Sequence, residues 1–298
     1  MTASPRTEEG RLTTSTGDEL FTKTWHTASE PKARIVWLHG FSDHCGRYEN
    51  FFLSLLAQDI KVYSFDQRGW GRSVTHPKEK GATGGTDRVL SDITEFIQSV
   101  LGNEDAPMFL GGHSMGGGEA MMYTAAGPAE TVGKIRGLVL ESPFLKLPPA
   151  TRSSPATLMA GRLASRFVPK MQLVQKLDKT KLSRDPSVND SWEHDPLCHN
   201  TGTLEGLTGM LDRGNALAEG RVVIQPDRYE DGETRLWVGH GTADGVVDYD
   251  AVKRWFDGLQ VGDKQMVTYD GWYHQLHNEP GEDQIKFASD VSNWILER

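Results

Sequence analysis

Short apolar runs rich in β-branched residues, alternating with stretches of helical spacing, constrain this chain more than any other feature. The runs fall at residues 34–38, 60–65, 108–111, 135–140, 235–238 and 265–269 and read as strands. Segments 50–57, 89–101 and 115–126 between them carry helical spacing. Strand alternating with helix implies an α/β fold: a mostly parallel central sheet with helices on both faces, which binds ligands beyond the carboxyl ends of its strands. Residues 11–16 and 20–26 flank Gly17-Asp18 and predict a hairpin at the sheet's edge. Residues 282–296 predict a closing helix with Ile285, Phe287, Val291, Trp294 and Ile295 on its apolar face.

The alternation breaks between 146 and 219, where the chain is richer in Pro, Ser, Arg and Lys and reads as helices and loops. We read a core domain from 1–145 and 220–298 and a cap, or lid, inserted at 146–219. No internal repeat interrupts this plan. Only the first ten or so residues have a disordered composition.

Composition narrows the function classes. A formal charge of −9 leaves no broad cationic face for phosphates, so nucleic acid is not an expected partner. Cys45 and Cys198 are too few for a disulfide framework and fit a reducing compartment, with one bridge between them left open. Residues 1–10 carry no apolar signal region, and no run approaches the ~18 apolar residues of a spanning helix. The expectation is a cytoplasmic chain that does not cross a membrane.

Chemistry concentrates at Gly112-His113-Ser114-Met115-Gly116, a G-x-S-x-G pattern. An apolar strand runs into it and a helix-capable run follows, the setting of a nucleophile elbow. A serine hydroxyl needs a base within hydrogen-bond reach and a carboxylate that holds the base in one tautomer. The run 235–238 leads into Gly239-His240-Gly241-Thr242-Ala243-Asp244, and the run 265–269 into Asp270-Gly271-Trp272-Tyr273-His274. We therefore read a catalytic set of Ser114, Asp244 and His274, with Asp248 and His277 as rivals on the same loops. The oxyanion needs two N–H donors. Met115 follows the nucleophile, and Phe41 lies in the loop after the strand ending His39-Gly40.

Together, His39-Gly40-Phe41, Asp66-Gln67-Arg68-Gly69-Trp70-Gly71-Arg72-Ser73, the Ser114 motif, Gly241-Thr242-Ala243-Asp244 and Tyr273-His274-Gln275-Leu276-His277-Asn278-Glu279 resemble the α/β-hydrolase superfamily. More narrowly they resemble the monoacylglycerol lipases, over nearly the whole chain from about Arg11 onward. The stretch from His39 to Tyr48 and the loop from His274 to His277 are its most specific parts. The resemblance implies an α/β-hydrolase core with a helical cap after the sixth strand, and hydrolysis of a monoacylglycerol, a lipid substrate, to fatty acid and glycerol. It also carries glycerol-binding roles to Asp43, Arg47, His113 and His277. The cap tyrosine of the family falls at Trp192, whose ring N–H donates but cannot accept. A cysteine of mammalian members falls at Val247.

Residues 158–171 carry a basic amphipathic pattern, with Leu158, Met159, Leu163, Phe167, Val168 and Met171 on one side and Arg162, Arg166 and Lys170 on others. Two readings stay open: a lid helix in peripheral contact with a membrane or lipid droplet, as the resemblance implies, or a helix whose stripe packs on the core. Neither His274, His277 and Glu279 nor His194, Cys198 and His199 has the spacing of a metal site. Gly69-Trp70-Gly71 lacks the third glycine of a dinucleotide fingerprint. The chain calls for no cofactor. A broad carboxylesterase or lysophospholipase is the alternative within enzymes. A binding protein that keeps the shape without catalysis is the alternative outside them.

Overall fold

The structure, a computed structural model, describes residues 6–102 and 105–298. Strands β1 (Arg6–Thr13), β2 (Glu19–His26), β3 (Ala33–Leu38) and β4 (Ile60–Phe65) come first, with α1 (Glu49–Leu56) before β4. Then follow α2 (Thr86–Leu101), β5 (Met108–His113), α3 (Met115–Ala126), α4 (Ala129–Val132) and β6 (Ile135–Glu141). The excursion after β6 holds α5 (Pro155–Phe167), β7 (Gln172–Val174), α6 (Pro186–Glu193), β8 (Thr201–Thr203) and α7 (Leu204–Ala218). The chain returns with β9 (Arg235–Gly241), α8 (Tyr249–Gly258), β10 (Asp263–Tyr269) and α9 (Glu282–Leu296).

The main sheet has the order β1-β2-β4-β3-β5-β6-β9-β10. Its inner pairs are parallel, and β1 and β2 are antiparallel at one edge. The two-residue periodicity of a strand assigns side chains to opposite faces. Val36 and Leu38 join a core with Val89, Phe96, Met121 and Val252, whereas Ile35 and Trp37 join one with Phe51, Phe52, Phe287 and Val291. Hence α2, α3 and α8 cover one face, and α1 and α9 the other.

Four expectations need correction. Residues 6–10 belong to β1 and pair with β2, because Gly10 and its neighbours continue the ladder outward; the remainder of the stretch read as disordered lies outside the described residues. The hairpin turn spans residues 14–18, closed by hydrogen bonds between Thr14 and Asp18, and is not a two-residue turn at Gly17-Asp18. Ile285 is exposed on α9, outside the apolar face that Phe287, Val291, Trp294 and Ile295 bury. The excursion, read as helices and loops, also contains the small antiparallel β7–β8 pair. Cys45 and Cys198 are both free and buried. Among the described residues, no helix is long and apolar enough to cross a membrane.

Candidate active site

Strand β5 ends in a sharp turn at Ser114, whose φ of 52° and ψ of −117° lie where an L-residue is strained. Such a conformation costs on the order of 1–3 kcal/mol and survives only where the surroundings over-determine it. Here they do. The Ser114 N–H donates to the Glu141 carbonyl on the neighbouring strand at 3.0 Å, and its carbonyl accepts from Gly118 and Phe144. Glycine is required at Gly116, where a Cβ would come within 2.3 Å of the Leu38 carbonyl oxygen. The turn is thereby pressed against the loop after β3: a Cβ at Gly40 would sit 3.4 Å from the Ser114 Cβ. As the first residue of α3, Met115 has an N–H with no intrahelical acceptor. Phe41 and Met115 both line the cavity that Ser114 enters.

The loops beyond β9 and β10 meet at Asp244 and His274. His274 Nδ1 lies 2.8 Å from Asp244 Oδ2, and the other carboxylate oxygen accepts N–H groups from Val246 and Val247 at 2.7 and 2.9 Å. Burial opposes ionisation of Asp244, but the neighbouring His274 and His240 outweigh it and hold the carboxyl well below the usual range. An ionised carboxylate on Nδ1 fixes the tautomer that leaves Nε2 free to accept a proton. The His274 ring lies 4.6 Å from that of His113, the residue before Ser114. The rivals are engaged elsewhere. Asp248 caps the N-terminus of α8 and pairs with Arg152, and it is a buried cap, not a solvated loop acid. His277 pairs with Glu141.

The residues assigned to glycerol are gathered beside this site, but Asp43, Arg47, Trp192 and His277 all spend polar atoms on protein partners. Asp43 accepts from the Tyr48 hydroxyl at 2.7 Å and the His44 N–H at 2.8 Å, with Arg47 Nε at 3.8 Å. Arg47 reaches Ser191 and Asp195. Trp192 donates its ring N–H to the Ser42 carbonyl at 3.0 Å, tying α6 to the loop that carries Phe41. His113 is buried; burial, with His274 and His277 nearby, pushes it well below its usual range, so it is neutral. None of these side chains lines the cavity at Ser114.

That cavity, of about 220 Å³, is bounded by Phe41, Met115, Phe144, Leu158, Leu207 and Val246 among others, and no charged side chain lines it. Its roof is α5, which supplies Leu158 and Gly161. The outer stripe of α5 is not core: Met159, Leu163 and Phe167 are 69%, 57% and 78% exposed. The helix stops at Phe167, so Val168 and Met171 lie beyond it, and both are exposed.

Neither His274, His277 and Glu279 nor His194, Cys198 and His199 come together as a group of possible ligands. Glu279 pairs with Arg184, His194 bonds the Asp190 carbonyl of its own helix, and His199 stacks on Trp70. The structure assembles other groups instead, His44 with Asp195 and Cys198, and His113 with Glu141 and His277. In the first, His44 Nδ1 accepts the Gly46 N–H, so Nε2 carries the proton it gives Asp195 and has no lone pair for a cation.

This sheet, a serine held on a strained turn between strand and helix, and a buried carboxylate–histidine pair on the loops after β9 and β10 define a serine ester hydrolase of α/β-hydrolase fold. The chain belongs to the hydrolase family described as serine aminopeptidase, S33, whose model matches residues 29–281. A relative from Schizosaccharomyces pombe is 34% identical over 94% of this chain and 71% of its own length. Monoglyceride lipase from Mus musculus is 30% identical over 96% of this chain and 90% of its own. In the fold, a soluble variant of monoglyceride lipase from Saccharomyces cerevisiae, solved with a substrate analogue, superposes with a TM-score of 0.87. It is 21% identical and covers 99% of this chain and 95% of that one.

Proposed function

We propose that this hydrolase cleaves the ester of a monoacylglycerol to a free fatty acid and glycerol, with Ser114 as nucleophile, His274 as base and Asp244 orienting the base. The observation that carries the reading is the uncharged, mainly apolar cavity that opens on Ser114. An acyl chain gains about 0.8 kcal/mol per methylene buried there. An aminopeptidase has to pair the substrate's terminal ammonium, and the cavity lining offers no carboxylate for it.

In the first half-reaction the Ser114 oxygen bonds to the ester carbon as its proton passes to His274 Nε2. The carbonyl oxygen becomes an oxyanion and accepts the N–H groups of Phe41 and Met115, each worth roughly 10²–10³ in rate. The imidazolium returns its proton to the glycerol oxygen as the C–O bond breaks. Water, deprotonated by the same histidine, then releases the fatty acid and restores Ser114. The segment 146–219 acts as the cap over this site. The exposed stripe of α5, flanked by Arg166 and Lys170, rests on a membrane or lipid-droplet surface and admits the acyl chain from it.

A broad carboxylesterase is the second reading, favoured by the protein partners that already occupy Asp43, Trp192 and His277. Hydrolysis rates on mono-, di- and triacylglycerols, a lysophospholipid, the fatty-acid ethyl ester and a short p-nitrophenyl ester separate the two. Monoacylglycerol should be preferred over the ethyl ester of the same acid, and His277→Ala and Asp43→Ala should erode that preference several-fold. Equal rates on both esters, or equal losses in the variants, make the protein a general esterase.

A further inference from the structure

Glu141 ends β6 between the strand that delivers Ser114 and the strand that leads to Asp244, opposite His113 on one side and Gly239 on the other. Its carbonyl accepts the Ser114 N–H at 3.0 Å. Its side chain is fully buried, and Oε1 accepts twice from His277, from the backbone N–H at 3.1 Å and from Nδ1 at 2.7 Å. With Nδ1 protonated, Nε2 of His277 is the acceptor, and Asn278 Nδ2 stands 3.0 Å away to donate. Tyr48 stacks on the His277 ring at 4.4 Å, and its hydroxyl accepts the Gly40 N–H at 3.2 Å while donating to Asp43. The nucleophile turn, the oxyanion loop and the loop carrying His274 therefore meet at one carboxylate.

That carboxylate has no cationic match. Among the described residues, its ion-pair contacts are histidines only: His277, and His113 Nδ1 at 3.5 Å from Oε2. Neither Oε2 nor His113 Nδ1 makes a hydrogen bond. A brace for His277 needs only an oxygen, which an uncharged amide supplies without the cost of burying a charge. The charge becomes favourable when a positive charge forms nearby, and that happens when His274, 4.6 Å from the His113 ring, takes the serine proton.

We propose that Glu141 is a positioning residue for the base: through His277 it holds the loop that carries His274, and through its negative charge it favours the imidazolium. The proposal rests on the triad reading above. His274 is faced by Asp244 from the loop after β9, with His240 on the other side of that carboxylate, and by His113 from β5, against which His277 of its own loop also packs. Glu141 lies behind His113, and Asp43 and Tyr48 behind His277. Asp244 fixes one side of the ring, and Glu141 supplies the second negative charge.

Glu141→Gln keeps an acceptor for His277 and removes the charge. On a soluble short-chain ester, kcat should fall about tenfold with KM within about twofold. Losing a nearby anion disfavours the imidazolium, so the acid limb of kcat/KM should move down by about one pH unit. Glu141→Asp keeps the charge and shortens the reach, and should hold the acid limb where the unaltered protein has it. An acid limb of Glu141→Gln that superimposes on the original overturns the proposal, as does equal displacement in both variants. A measurement on the unaltered protein stands apart from folding of the variants: two far-downfield imidazole N–H proton resonances are expected, one from His274 and one from His277. A single one also overturns the proposal. Labelling of Ser114 by a fluorophosphonate that does not depend on His274 instead sinks the triad reading beneath it.

Discussion

The floor and the roof of the cavity are built on opposite terms. On the floor, strain at Ser114 is held by backbone hydrogen bonds from two sides, and Asp244 spends both oxygens on fixed donors. On the roof, α5 buries no residue and turns Met159, Leu163 and Phe167 to solvent. Proton transfer and attack tolerate little error in position, so the floor is over-determined. A roof that admits an acyl chain must part from something, and an apolar stripe left exposed costs stability unless it meets a surface. Helix α7 ties the inserted segment to the floor, because its Arg213 reaches Glu119 of α3 in a buried ion pair at 2.9 Å.

The largest effects should come from the floor. Ser114→Ala should lower kcat by roughly 10³–10⁶ with the fold intact, and Asp244→Asn and His274→Ala should approach that loss in steady-state assays. Asp248→Asn should stay within a few-fold of the original, because that side chain caps α8. If Asp248→Asn is the more damaging of the two aspartate variants, the carboxylate of the triad has been misplaced.

On the roof, replacing Leu163 and Phe167 together with Ser should reduce liposome binding and cut activity on vesicle-borne long-chain substrate about tenfold. Turnover of a soluble short ester and the melting temperature should stay unchanged, since both side chains are exposed. A drop in melting temperature that tracks the loss of both activities would return the stripe to the core and erase the contrast between roof and floor.

The seam between them carries a pH dependence. Burial pushes Glu119 up to about 7 against Arg213, and burial also lowers Arg213, so the pair does not recover its desolvation. Gln67, Thr86 and Asp92 are the other groups near it. Below the ordinary value of 4.5, folded and unfolded chains both hold the proton; between 4.5 and about 7 only the folded chain does. This group's contribution to stability is therefore full at acid pH and is lost as pH rises to about 7. Urea denaturation at pH 5, 6, 7 and 8 should show Glu119→Gln lacking that part of the decline; parallel curves for both proteins would show that the carboxyl does not titrate there.

The sheet was legible because its inner strands are short apolar runs buried on both faces and its nucleophile turn forms a motif: β4, α3 and α9 begin and end where the apolar runs and the helical spacing place them. Asp244 and His274 were legible as loop residues following strands. The hairpin turn was misjudged because Gly17-Asp18 is only half of a longer closure from Thr14. The face of α5 was not legible, since the same stripe serves a core helix or a surface helix and only the neighbours decide. Partners were the least legible. Asp43, Trp192 and His277 are recognisable by type, yet Tyr48, the Ser42 carbonyl and Glu141 come to them from other elements. Glu141 carries one local signal, a lone charge ending the apolar run Leu138-Val139-Leu140 of a buried strand, and such a charge needs a buried partner.

The central claim, an acyl-accepting Ser114 activated by His274 beneath an apolar cavity, is tested most directly by a fluorophosphonate carrying a long alkyl chain, with the modified peptide mapped by mass spectrometry. The label should sit on Ser114, form more slowly in the presence of monoacylglycerol, and be almost absent in His274→Ala. A label on another residue, or labelling at Ser114 that neither substrate nor loss of His274 slows, would contradict the account.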